Sequence, residues 1–289
     1  MSQMIELIKQ LRERTGAGLS DCKKALEANN NDLDKACDWL REQGVIKSAK
    51  KANRIAAEGL ASVTSKDNDA IILEVNCETD FVAKGDKFAQ LVDTTRDTIL
   101  NKKIKDVESA TKELNSIYAD ATVAIGEKLS LRRFEIVNKN PNECFGCYIH
   151  MGGKIAVLVV INKDDKEFAD SLAMHIAANA PAYICPHCVP KEVIENEKKI
   201  ALETSKGDEK LMSKPQAIID KIIEGKVNKT LSEVILHEQA YLLDDTKKVS
   251  QVLKEKDISV IKFIRYQVGE GIEKRKDDFA NEVLKEVNA

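Results

Sequence analysis

Aromatic residues are scarce in this chain: Phe, Trp and Tyr make up 4%, with a single Trp. Base-stacking platforms for single-stranded nucleic acid are built from such rings, so that class is disfavoured. Basic residues are not in excess either. Lys and Arg number 45 against 48 Asp and Glu, a formal charge of −3. A general nucleic-acid binder is basic over at least one face, so direct nucleic-acid binding is not expected. Long apolar runs are also missing. The longest, Ile155 to Ile161, is far too short to span a bilayer. Met1 to Glu6 lacks the basic start and apolar stretch of a signal peptide. No membrane association and a cytoplasmic location are expected. Neither the phosphate loop G-x-x-x-x-G-K-[ST] nor the nucleophile elbow G-x-S-x-G occurs, so no motif for self-contained catalysis is found.

What is present favours helix: 32% of residues are charged, in a chain of 289 residues that suits two or three domains. Ile5, Ile8 and Leu11 recur at helical spacing, and Thr15-Gly16-Ala17-Gly18 breaks the pattern. Ser20 or Asp21 is expected to cap a second helix with Cys22, Ala25 and Leu26 on one face. Asn29 to Asn31 reads as a turn, and Asp32 as the cap of a third helix carrying Leu33, Ala36, Trp39 and Leu40. Gly44 is expected to end that helix and Trp39 to sit at the centre of the small core. The Lys47–Lys51 stretch with Arg54 reads as a charged, solvated linker; a phosphate-binding role is the sharper alternative.

The period then changes. Glu58 to Thr64 and Ala70 to Asn76 read as paired strands joined by a turn at Lys66-Asp67-Asn68-Asp69. A helix over Asp86 to Leu100 is expected with Phe88, Leu91, Val92 and Ile99 inward, then another from Val107 to Gly126 and a strand from Arg132 to Asn138. The order recurs: strands at Cys147 to His150 and Lys154 to Ile161, a Gly152-Gly153 turn, and a helix over Lys166 to Asn179. Ile71 to Val75 followed by Phe88-Ala89 parallels Ile155 to Val159 followed by Phe168-Ala169, which reads as a duplicated strand–strand–helix module. Pro190 to Gly225 reads as a helical hairpin with Ile194, Ile200, Leu211, Ile218 and Ile222 along its stripe. It is either a solvated projection or a dimer contact. A strand at Val260 to Val268, a Gly269-Glu270-Gly271 turn and a helix from Ile272 to Val287 close the chain.

Two C-x-x-C pairs stand out, Cys144-Phe-Gly-Cys147 and Cys185-Pro-His-Cys188. Four thiolates could hold tetrahedral zinc, although the gap between the pairs exceeds that of ordinary ribbons. The second pair also has the form of a thiol–disulfide oxidoreductase motif but lacks a βαβ context. All seven cysteines are expected to be reduced, with no metal bound. The histidines at 150, 175, 187 and 237 are scattered, and His175 is expected as a packed core residue.

Four segments carry a resemblance. They are Leu11-Arg-Glu-Arg-Thr-Gly-Ala-Gly-Leu-Ser-Asp-Cys-Lys-Lys-Ala-Leu26, Glu78-Thr-Asp-Phe-Val-Ala-Lys84, His150-Met-Gly-Gly-Lys154 and Phe263-Ile-Arg-Tyr-Gln-Val-Gly-Glu-Gly-Ile-Glu273. In this order they resemble the elongation factor Ts family over nearly the whole chain. Gly85, where the family often has Asn, and the Cys185–Cys188 loop depart from it. The resemblance implies an α+β fold. A ubiquitin-associated-like three-helix domain over 1–52 comes first. A core of two duplicated subdomains with antiparallel strands follows, 53–139 and 140–268, the second carrying the helical hairpin at about 190–225. A C-terminal helical module over 269–289 ends the chain.

The implied function is to bind elongation factor Tu, in its nucleotide-free and GDP forms, and to drive GDP off it without covalent chemistry or a cofactor. The turn Thr79-Asp80-Phe81-Val82 is implied to enter the partner: Phe81 between two helices of its nucleotide domain, Asp80 against its magnesium site. His150, Met151 and Gly152 are implied to meet another domain, and Arg12, Leu19 and Ser20 to dock on the nucleotide domain together with the terminal helix. Residue pattern alone leaves a second possibility for Phe81, packing under its own helix against Val82 and Phe88. A different reading of the whole chain is an adaptor working only through its N-terminal helices.

Overall fold

The computed structural model describes residues 2–207, 211 and 213–273. Helices α1 (Ser2–Thr15), α2 (Leu19–Ala28) and α3 (Leu33–Lys51) come first. Strands β1 (Glu58–Lys66) and β2 (Asp69–Cys77) follow, then α4 (Asp80–Ala83), α5 (Asp86–Lys102), α6 (Val107–Glu113), α7 (Asn115–Ile125) and β3 (Ser130–Asn138). The second half runs β4 (Cys144–His150), β5 (Ile155–Ile161), α8 (Lys166–Asn179), α9 (Lys191–Ser205) and α10 (Gln216–Val234). Strands β6 (Ala240–Tyr241) and β7 (Asp244–Lys248), helix α11 (Val249–Lys256) and strand β8 (Val260–Gln267) complete it. The fold is α+β, with antiparallel sheets ordered β1-β2-β3 and β4-β5-β8.

The two sheets pack face to face, and helices cover their outer faces. Alternate residues of β2 divide between the two layers. Ile71, Leu73 and Val75 meet Phe88, Leu91 and Val92 of α5, while Ala70 and Ile72 face Ala156, Leu158 and Val160 of β5. The other side of β5, Val157, Val159 and Ile161, packs on Phe168, Leu172 and Ile176 of α8. Strands covered on both faces are apolar at nearly every position. This explains why Ile71–Val75 and Ile155–Ile161 are runs rather than alternations.

Several helix expectations are corrected. Gly18 rather than Ser20 or Asp21 caps α2, and Asp21 pairs instead with Lys47 at 2.9 Å. Asp32 does cap α3, accepting from the N–H groups of Asp34 and Lys35. Gly44 does not end that helix. It is buried where α3 crosses α7, and a Cβ there would lie 2.5 Å from the Ala119 carbonyl oxygen. The glycine serves close helix approach, and α3 runs on to Lys51. Leu11, Leu26 and Leu40 hold the centre of the first core, with Trp39 half-buried at its edge. Ile5 faces solvent. The stretch expected as one helix from Val107 is two, α6 and α7, hinged at buried Leu114. In the hairpin the inward residues of α10 are Ile219, Ile223, Val227 and Leu231, so Ile218 is exposed. A shift of one position turns the face by about 100°. Helix α10 also continues beyond Gly225 to Val234. The expected helix over Ile272–Val287 lies outside the described residues from 274 onward.

One buried carboxylate ties the second half of the chain to the first sheet. Glu74 on β2 is fully buried and accepts from Arg132 (2.9 Å), Arg133 (2.7 Å), Asn76 (3.1 Å) and the Gly269 N–H (2.8 Å). Burial alone pushes this carboxyl up. The bonds from Gly269, Arg132, Asn76 and Arg133 outweigh it and hold the group below its ordinary value.

Candidate docking site

The segment after β2 is short and heavily braced. Thr79, in extended conformation, caps α4: its hydroxyl accepts from the Val82 N–H at 3.3 Å. Glu127, far along the chain, grips the same turn. Its carboxylate accepts from the N–H groups of Glu78 (2.9 Å) and Thr79 (3.0 Å) and from the Thr79 hydroxyl (2.6 Å). Ala83, the last residue of α4, is buried in the core under β2 and α5, and Val82 is half-buried against the same core. Asp80 pairs with Lys84 at 2.7 Å. That hydrogen bond, with weaker help from the charge of Lys154, lowers the Asp80 carboxyl below its ordinary value.

Phe81 stands at the tip, 83% exposed. Phe88 fills the core without it, at 1% exposure, so Phe81 does not pack under its own helix. A solvent-exposed ring held on a hydrogen-bonded turn leaves most of its apolar surface available for burial elsewhere.

The β4–β5 connection presents His150, Met151 and Gly152. Met151 (φ 49°), Gly152 (φ 61°) and Gly153 (φ 95°) all take left-handed backbone angles, which a tight reversal requires. The Gly153 carbonyl accepts from the Ala61 N–H of β1 at 2.7 Å, and a Cβ on Gly153 would lie 2.7 Å from the Leu60 side chain. The turn is thereby fastened to the first sheet, and Lys154 adds a 2.7 Å ion pair to Glu58 of β1. Met151 is 70% exposed. His150 is exposed, with its Nδ1 3.2 Å from the Tyr148 hydroxyl.

Arg12, Leu19 and Ser20 are exposed around the loop that joins α1 to α2. Lys87, at the start of α5, donates to the Gly16 carbonyl at 3.4 Å. This places the N-terminal loop beside the helix that directly follows α4. Strand β1 packs against both α4 and the β4–β5 strands. It links Thr79–Val82 to His150–Gly152, which share no hydrogen bond among those described. Phe81 and Met151 are the two most exposed large apolar side chains described, and Leu19, at 59%, is also among the highest.

The cysteine pairs separate. Positions three apart on a strand point to opposite faces: Cys144 lies in the core under α8, Cys147 packs between the sheets. They cannot chelate one ion together. Cys185 and Cys188 form a disulfide, which corrects the expectation of seven reduced thiols. Among the described residues no group of three or more His, Cys, Asp or Glu converges as a metal site, and no helix is long and apolar enough to cross a membrane. His175 is a fully buried core residue. Its Nδ1 accepts from the Leu242 N–H at 3.2 Å, so Nε2 carries the proton towards Gln239 Oε1 at 2.9 Å; burial holds the ring neutral by lowering its pKa.

Sequence reasoning missed Glu127 and Glu74. Each acts on groups that local pattern does not connect to it, Glu127 some fifty positions upstream and Glu74 as far away as Gly269. The only local hint for Glu74 was an acid inside an apolar strand.

Fold and site together define an α+β protein that displays exposed apolar side chains on braced turns. A family profile described as "Elongation factor TS" matches residues 78–270, and one described as "Elongation factor Ts, mitochondrial, N-terminal" matches residues 1–48. The elongation factor Ts of Pediococcus pentosaceus is 46% identical over 288 residues, covering 98% of this chain and 97% of the relative. That of Acholeplasma laidlawii is 43% identical over 289 residues, covering 98% of each. The chain belongs to the elongation factor Ts family and is a translation elongation factor.

Proposed function

We propose that this chain binds elongation factor Tu and accelerates GDP release by inserting the Thr79–Val82 turn beside the partner's nucleotide site. The observation that carries the reading is the exposed Phe81 ring on a turn clamped by Glu127. Phe81 wedges into the partner's nucleotide domain, and the ionised Asp80 beside it disturbs the magnesium ion that links phosphates to protein oxygens. Magnesium holds a near-ideal octahedral shell, so displacement on one side weakens nucleotide binding. No covalent bond changes, and the chain is an exchange factor rather than an enzyme of covalent chemistry. Arg12, Leu19 and Ser20 dock on the same nucleotide domain, while His150, Met151 and Gly152 hold a second domain as the lever arm.

In this reading residues 1–52 form a ubiquitin-associated-like unit, 53–139 and 140–268 are the duplicated core, and 269–289 add a terminal module. The work is cytoplasmic. The hairpin offers exposed Ile200, Leu202 and Ile218 as a weak contact with a second copy.

Linkage fixes the energetics. If the factor weakens GDP by some ratio, GDP weakens the factor by the same ratio. Titration of labelled elongation factor Tu tests this: the nucleotide-free form binds tightly and the GDP form weakly. Equal affinities for the two forms would refute exchange by this mechanism.

A further inference from the structure

The Cys185-Pro186-His187-Cys188 segment takes no part in the docking site. It forms the joint between α8 and the helical hairpin. The backbone before it is tied to the end of α10. The Ala182 and Tyr183 N–H groups donate to the Val234 carbonyl at 2.8 and 3.1 Å, and the Leu236 and His237 N–H groups donate to Tyr183 and Ile184 at 2.8 and 3.1 Å. The backbone after it opens α9, with Val189 buried in the hairpin's apolar seam and Pro190 at the cap. The two Cα atoms lie 5.2 Å apart, inside the span a disulfide requires.

This pair is also the accessible one. Cys188 and the two residues before it are exposed, and Cys185 is half-buried. Of the other cysteines, Cys22, Cys77 and Cys144 are buried and Cys37 and Cys147 are half-buried. Burial pushes all five of those thiols up, and the thiolate is the reacting form.

We propose that Cys185 and Cys188 are a reversible thiol–disulfide site that fixes the base of the α9–α10 hairpin when oxidised. The exchange partners are of the dithiol and glutathione class. In the reducing direction a partner thiolate attacks the exposed Cys188 sulfur, a mixed disulfide forms, and Cys185 leaves as a thiolate. A second partner thiol then displaces Cys188. The partner ends as a disulfide, and the loop gains two electrons and two protons. Oxidation by the partner's disulfide form is the reverse. In the oxidised loop a covalent ring holds Cys188, and with it Val189 and Pro190, against the strand-like Tyr183–Ile184 segment. Besides that ring, the turn bond from the Cys188 N–H to the Cys185 carbonyl, at 2.9 Å, spans the same gap, and reduction leaves the gap without its covalent tie.

The test equilibrates the full chain in oxidised and reduced glutathione buffers, alkylates it under denaturing conditions, and maps modified peptides by mass spectrometry. Expected is joint loss of alkylation at Cys185 and Cys188 in the oxidising buffer, its full return with dithiothreitol, and constant alkylation of the other five. Hydrogen exchange of amides in 182–205 is expected to speed up about tenfold on reduction. Cys188→Ser should show the fast rate in either buffer. Alkylation of both residues in the oxidising buffer, or a persistent glutathione adduct in place of the internal bond, would overturn the site. Unchanged hairpin exchange in both redox states of the native chain would overturn the role at the hairpin base.

Discussion

Replacing Phe81 by Ala removes a ring that the folded chain does not use. At 83% exposure it makes little contribution to the core, and exposed substitutions of this kind change stability by less than about 0.5 kcal/mol. The same ring, buried in a partner, contributes roughly 1.5–3 kcal/mol. Taking about 2 kcal/mol, loss of the ring weakens the complex with nucleotide-free elongation factor Tu by roughly 30-fold. If the contact forms mainly when GDP is leaving, stimulated release slows by at least about tenfold. Two assays separate the effects: thermal unfolding of the variant alone, and stopped-flow release of fluorescent GDP across a range of factor concentrations. A variant that unfolds at the native temperature and releases GDP slowly meets the expectation. Native release rates at all concentrations would remove Phe81 from the mechanism.

Glu127→Gln keeps the side-chain size but loses charge-assisted bonds to two backbone N–H groups and one hydroxyl. The turn should open more readily by about 1–2 kcal/mol, read as faster hydrogen exchange at Glu78 and Thr79 and slower stimulated GDP release with Phe81 intact. Glu74→Gln should lower global stability by about 3 kcal/mol, because the amide leaves Arg132 and Arg133 without a counter-charge and keeps only one acceptor oxygen, so that an NH2 donor faces either Arg133 or the group of Arg132, Asn76 and the Gly269 N–H; denaturant titration checks it. Since the folded Glu74 carboxyl sits below its ordinary value, its contribution is complete above about pH 4.3 and fades as pH falls through the lower folded value. Acid unfolding of native protein should therefore be steeper than that of Glu74→Gln. Gly44→Ala would gain about 1 kcal/mol of helix propensity, yet its Cβ meets the Ala119 carbonyl at 2.5 Å. Overpacking of this kind costs about 1–3 kcal/mol, so calorimetry should show a net loss.

The strands and most helices were legible because their apolar residues recur with the period of the element, as Phe88, Leu91 and Val92 do on α5. What sequence did not show depends on contacts between distant segments. Gly44 carries the local signature of a helix stop, but the approach of α7 gives it a different task. Ile218 and Ile219 are equally apolar, and only the partner helix α9 decides which faces inward. The exposure of Phe81 could not be read from pattern, since an aromatic between Asp80 and Val82 fits a packed turn equally well. The motif resemblance pointed to the turn, and the geometry adds the clamp by Glu127. The Cys185–Cys188 disulfide ran against a general expectation for cysteines in such a chain, and only the turn's geometry brings the two sulfurs together.

The most direct test of the account is the rate of fluorescent GDP release from elongation factor Tu with and without the native chain, at excess unlabelled nucleotide. The release rate is expected to climb with factor concentration towards a plateau. A rate that stays at the spontaneous value while the folded chain is present in excess would contradict it.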